Sequence, residues 1–195
     1  MRIHHIMMFL ARFMAILGGL VLTVLVILTC LSVLGRGANT FLHWDVFETA
    51  LPGLSSALLA SGVGPVLGDF ELVEAGIAFA IFAFMPLCQI TAGHASVDIF
   101  TSKLPARANR FIQLVVEIVF AAVLILIAQR LFEGMMSKKG YNETTFLLQF
   151  PIWWAYGISL VAAVLAAGVG VYMAGVRLFE FLTMRTIVQA AEVDH

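Results

Sequence analysis

The stretch "TALPGLSSALLASGVGPVLG", residues 49–68, is uncharged over 20 residues. That length is enough to cross a bilayer as a helix, which needs about 20 apolar residues. Its reading fixes the number of crossings and the side on which every later loop emerges. Six of its residues argue against a crossing: Pro52, Gly53, Gly62, Gly64, Pro65 and Gly68. Proline removes a backbone donor, and lipid offers no replacement for a broken helix hydrogen bond. Charge argues the same way. A crossing here would put Lys103, Arg107 and Arg110 outside and Asp69, Glu71 and Glu74 inside, against the rule that basic loops stay in the cytoplasm. The expectation is one or two short helices lying in the outer interface, within an insertion over about residues 40–68. Phe41, Trp44, Phe47 and Leu51 would dip into lipid.

The rest of the chain is plainly made for a membrane. It is 62% hydrophobic and 12% charged over 195 residues, with a mean hydropathy of +1.01. Soluble domains carry about 25% charged residues. Four stretches are apolar enough to cross: about 13–34, 75–93, 111–129 and 150–176. The first has 22 uncharged residues, longer than the apolar region of a cleaved signal, and reads as a retained anchor. With the N-terminus inside, the cytoplasmic segments hold Arg2, Arg12, Lys103, Arg107, Arg110, Arg177 and Arg185. The outer loops hold Arg36, Arg130, Lys138 and Lys139. The imbalance places both termini in the cytoplasm. The fold expected is all-α, with four transmembrane helices plus a short interfacial helical segment between the first and second, in a single membrane domain over 1–195.

Few residues carry chemistry. Cys30 and Cys88 are isolated within apolar runs, with no CxxC, and read as buried small hydrophobes. His94 and Asp98 share a helix face at the exit of the second span, but zinc takes three or four ligands. They read as headgroup-depth groups that fix the depth of that helix and orient the next turn. Glu117 is the one carboxylate inside a span. It needs a partner in lipid, and Gln89 at matching depth on the second span is the expected hydrogen-bond donor. Trp153, Trp154 and Tyr156, where the last span begins, read as interfacial anchors. Pro86 is expected to kink the second span. Small residues recur every four positions on the first span (Ala11, Ala15, Gly19, Thr23) and on the last (Ala162, Ala166, Gly170, Ala174). Such stripes let helices approach closely. They are either seams inside the bundle or docking faces for another protein.

Several classes are disfavoured. No basic cluster would neutralise a nucleic acid backbone. No histidine lies at mid-span, as a haem-anchoring subunit needs. No clustered polar groups mark a catalytic cavity, so no catalytic, cofactor or metal residues are assigned.

The order of motifs resembles the small membrane subunit (DctQ-like) of tripartite ATP-independent periplasmic (TRAP) transporters. The elements are "DFELVEAG" at 69–76 with Glu74 leading into the second span, "GHASVD" at 93–98, Leu104-Pro105 before the third span, and "NETTFLLQFPIWWAYGISL" at 142–160 with Pro151, Trp153 and Tyr156. The likeness covers most of residues 10–180. Phe70 stands near a tryptophan of the family pattern, and the first outer loop is longer than usual for the family. The resemblance implies a non-catalytic subunit of the bacterial inner membrane that braces a large multi-span subunit. A periplasmic substrate-binding protein would dock transiently, and the large subunit would import an organic acid or similar solute with sodium. Glu74, Gln89, His94, Asp98, Glu117, Trp153, Tyr156, Ala15, Gly19, Ala162, Ala166 and Gly170 are then the structural or interface residues. The alternatives are an assembly subunit of another membrane complex, or a small independent channel or exporter.

Overall fold

Apolar runs of this length, rich in Leu, Ala, Met and Phe, leave the backbone no hydrogen-bond partner in lipid except itself. Helices are the outcome. The computed structural model describes residues 2–44, 49, 52–60, 62–91 and 105–183. It contains α1 (Arg2–Leu42), α2 (Pro52–Ala60), α3 (Asp69–Ile90), α4 (Ala106–Gly140) and α5 (Ile152–Thr183). Four of these, all but α2, are long and apolar enough to cross a membrane. The chain is an all-α, multi-pass membrane protein. Among the described residues the only extended pairing is an isolated bridge between Thr144 and Pro151.

Among the described residues of the insertion the structure has one short helix. α2 has nine residues, about 14 Å of rise, less than half of a hydrocarbon core about 30 Å thick. It opens on Pro52, the position where a missing N–H costs nothing. The helices around it are longer than the apolar runs alone define. α1 has 41 residues and continues to Leu42. α4 has 35 residues and α5 has 32. α3 runs unbroken through Pro86, which is buried inside the bundle.

The helices pack in the order α1–α3–α5–α4, with α5 the most buried. α1 barely touches α5 and has no comparable packing with α4, so the bundle is open rather than closed into a ring. His4 of α1 reaches Tyr172 of α5 at 3.2 Å, and Phe111 of α4 packs on Phe181 of α5. These contacts gather the starts of α1 and α4 with the close of α5 at one end, the termini end. The opposite, hairpin end carries α2, the start of α3 and the 141–151 loop.

The α1–α3 seam has a regular register. Besides Leu42 at its end, the buried positions along α1 are Ala11, Met14, Gly18, Leu25 and Ser32, a three-and-four spacing that repeats every seven residues. Ala11 shares a core cluster with Ile90. A Cβ on Gly18 would stand 2.9 Å from Ala83 Cβ, and one on Gly76 would stand 2.7 Å from Leu25 Cδ1. Ser32 reaches the Asp69 carboxylate. In each pair one partner steps forward by seven while the other steps back by seven. That is an antiparallel seam of coiled-coil type, in which a seven-residue repeat keeps one stripe facing its partner.

Candidate functional site

Building from α5 outward, the first feature is a close seam with α4. Ala162 and Ala166 are fully buried and Gly170 is buried with them. A Cβ on Gly170 would meet Leu124 Cδ1 at 3.2 Å and the Ala121 backbone at 3.5 Å. Leu124, Ala166 and Ala167 form one core cluster, flanked by Met85 and Phe120. Burial favours the internal-seam reading of this stripe over the docking-face reading.

The α1 stripe is different. Ala11 is buried, but Ala15 and Gly19 are only half-buried and Thr23 is exposed. A four-residue spacing advances about 40° per step around a helix of 3.6 residues per turn. It therefore drifts off a contact that follows the seven-residue repeat. The close-approach glycine is Gly18, not Gly19, whose Cβ would meet only Phe84 Cζ at 4.0 Å.

The second feature is a polar cluster near the termini end. Gln89 of α3 is 1% exposed, Glu117 of α4 9%, and Arg177 and Glu180 of α5 7% and 3%. These small values matter, because buried charge is costly unless paired. Gln89 Nε2 donates to Glu117 Oε2, the partnership expected from their depths. Arg177 Nη1 donates to Glu180 Oε2 at 2.7 Å, and its charge acts on Glu117. One hydrogen bond thus ties α3 to α4, and the Arg177 charge links α5 to that pair. Glu117 sits 11 residues into α4, about 16 Å from its start. Sequence reading missed Arg177 and Glu180. It took Arg177 as a loop charge beyond the last span and Glu117 as the sole internal carboxylate. α5 instead continues to Thr183 and buries both. The signal was present: Met173, Arg177 and Glu180 prolong the spacing of Ala162, Ala166 and Gly170 down one helix face.

The third feature is the hairpin end. Glu71 accepts the backbone N–H groups of Leu147 at 2.6 Å and Leu148 at 2.9 Å. Gly68, before α3, adopts φ 76°, and a Cβ there would collide with the Leu148 side chain. Both the left-handed backbone and the space require glycine. Lys138 pairs with Glu143 at 2.5 Å, and Arg36 lies 3.7 Å from Asp69. Trp153 is half-buried under Lys139, whose ammonium stands 5.3 Å from the ring centroid. Tyr156 packs where a Gly134 Cβ would come within 2.7 Å of its ring. Glu74 is exposed on α3. His94, Asp98, Phe47 and Leu51 lie outside the described residues.

Two expectations need correction or restriction. Cys30 and Cys88 are exposed on the helix surfaces, not buried. An apolar neighbourhood in sequence guarantees lipid or a partner around a side chain, not burial within its own bundle. Among the described residues no group of three or more His, Cys, Asp or Glu converges as metal ligands would.

What remains is surface, and it is apolar. On α1, Phe9, Ile16, Leu20, Val24 and Leu31 are exposed; on α4, Val116, Val119, Val123 and Leu126. Such faces meet lipid or a partner helix. Neither curated proteins nor solved structures yield a match to the chain. The family model described as "Tripartite ATP-independent periplasmic transporters, DctQ component" matches residues 25–180. That match runs from the middle of α1 through the buried Glu180, so the helix array and polar cluster described above are those of a chain that belongs to the DctQ family and is a small permease component of a TRAP transporter.

Proposed function

We propose that this chain is a non-catalytic brace. It binds and stabilises the large multi-span subunit of a sodium-coupled, binding-protein-dependent transporter that imports an organic acid or similar solute. The membrane is the bacterial inner membrane, with both termini cytoplasmic and the hairpin end periplasmic. There the periplasmic binding protein docks transiently.

The observation that carries the reading is the open helix order. α1 and α4 flank the array without packing on each other, and each presents a long apolar face. A closed bundle would spend those faces on itself; an open one can lie along a larger neighbour. The internal polar groups fit the same role. Gln89 bonds Glu117 between α3 and α4, Arg177 bonds Glu180 within α5, and the Arg177 charge acts on Glu117, a self-contained pairing as in a structural tie. A transport route needs polar groups spaced along the membrane depth, and this cluster occupies one depth. Substrate and sodium are therefore assigned to the large subunit.

The test is purification of the full chain from its native membrane in mild detergent. The expected result is a much larger multi-span protein accompanying it in fixed ratio. A chain that purifies alone and transports solute in vesicles would instead be an independent channel or exporter. One that purifies with other partners would be an assembly subunit elsewhere.

A further inference from the structure

At the hairpin end α3, α4, α5 and the 141–151 loop line a half-open cavity of about 290 Å³. Its polar wall includes Glu74, Tyr156 and Ser159, and its apolar wall includes Ala78, Leu131 and Phe150. Glu71 also borders it, with both carboxylate oxygens already held by Leu147 and Leu148. Glu74 differs: among the described residues no donor or cation meets it. No lysine or arginine lines the space. The nearby basic residues Arg130 and Lys138 are engaged by Glu133 and Glu143. Ser159 is a second, independent sign. It is 1% exposed, and its Oγ has no hydrogen-bond partner. A helical serine ordinarily satisfies itself on the carbonyl four residues back; this one lines the cavity instead.

Glu74 is exposed to solvent on one wall, and the buried, unmet Ser159 hydroxyl lines the same mainly apolar recess. A positively charged donor on an apolar stem suits that pair, because the hydroxyl gains a partner it lacks. A bare metal ion fits poorly, because hard cations want six or more oxygen ligands. We propose that the cavity binds a protonated amine carried on an apolar stem. Glu74 takes the charge and one N–H, Ser159 Oγ accepts another, and the Tyr156 and Phe150 rings flank the stem, where an aromatic face adds attraction for a cation. The amine has two possible sources, the ethanolamine headgroup of a membrane lipid or a soluble alkylamine. This inference is independent of the bracing reading, which can fail without it.

The experiment uses the full chain in mild detergent, with whatever subunits accompany it. Thermal unfolding is followed at neutral pH with hexylammonium chloride or with hexanol, which has the same stem and no charge. Hexylammonium should raise the melting temperature and hexanol should not, because only a bound ligand shifts folding. Glu74→Gln should erase the difference and Glu74→Asp should keep part of it. In parallel, the chain is reconstituted in equal ethanolamine and glycerol phospholipids, re-extracted, and its retained lipid weighed by mass spectrometry. A several-fold excess of the ethanolamine lipid, lost in Glu74→Gln, assigns the headgroup. A response to hexylammonium alone assigns a soluble amine. Equal effects of hexylammonium and hexanol, with no headgroup preference, overturn the proposal. Because the ligand pair differs only in charge, the wild-type chain decides even if a variant does not fold.

Discussion

Gly18 of α1 faces Ala83 of α3 so closely that a Cβ on the glycine would stand 2.9 Å from Ala83 Cβ. The seam therefore has a sharp register, and a one-residue shift separates a critical position from a tolerant one. Gly18→Leu should destabilise the chain by about 1–3 kcal/mol, the usual cost of overpacking. Gly19→Leu should cost far less, since only Phe84 Cζ at 4.0 Å stands near. Thermal unfolding of both variants in one detergent checks this. Equal losses would mean that the register is wrong.

The polar cluster predicts an asymmetry between its members. Glu117→Gln keeps a polar contact with Gln89 and should cost no more than about 2 kcal/mol, the upper range for a hydrogen bond between membrane helices. Assembly and transport should survive it. Arg177→Leu leaves Glu180 buried without its cation and should cost about 3–5 kcal/mol. The double variant Arg177→Leu/Glu180→Leu should recover much of that loss. Chain abundance in the membrane and unfolding in detergent read all three. A Glu117→Gln complex that assembles fully yet transports nothing would show that Glu117 has a functional role beyond structure.

At the hairpin end, Glu71 is the clamp on the 141–151 loop. Glu71→Ala removes the acceptor of the Leu147 and Leu148 N–H groups. Hydrogen exchange at those two amides should accelerate, while amides in the middle of α5 keep their protection. Uniform acceleration along α5 would instead make Glu71 a support of the whole bundle.

The exposed cysteines report on docking. Cys30 lies on α1 and Cys88 on α3. Both should react with a membrane-permeant maleimide in the separated chain. In the assembled transporter at least one should be protected if the large subunit covers this side of the array. Unchanged labelling of both would move the contact to the α4 side.

What could be read without coordinates follows the demands of lipid. The count of crossings was legible because backbone polar groups in hydrocarbon impose long apolar runs, and Pro52, Gly62 and Pro65 break one. The Gln89–Glu117 bond was legible because two lone polar groups at one depth have little other choice. The α1 contact face was not. Ala15 and Gly19 satisfy a small-residue spacing as well as Gly18 does, and only the packed position of Ala83 chooses between them. Arg177 and Glu180 were misread because a charge near the end of an apolar run looks like a loop residue. Whether the helix continues past it depends on neighbours in space. Cys30 and Cys88 failed for a related reason: hydropathy separates lipid from water, not lipid from protein.

The helices differ in length in a way that matters to the membrane itself. At 41 residues, α1 rises about 62 Å. Even tilted by about 40°, the upper limit of common tilts, it overtops a bilayer about 40–45 Å thick including headgroups. With 22 residues, α3 rises about 33 Å, nearly the hydrocarbon thickness with nothing to spare. Thinner or thicker lipid therefore slides along α1, α4 and α5 but strains α3. That helix carries the Glu71 clamp at one end and the Gln89 tie at the other, which makes it the part of the array that feels bilayer thickness.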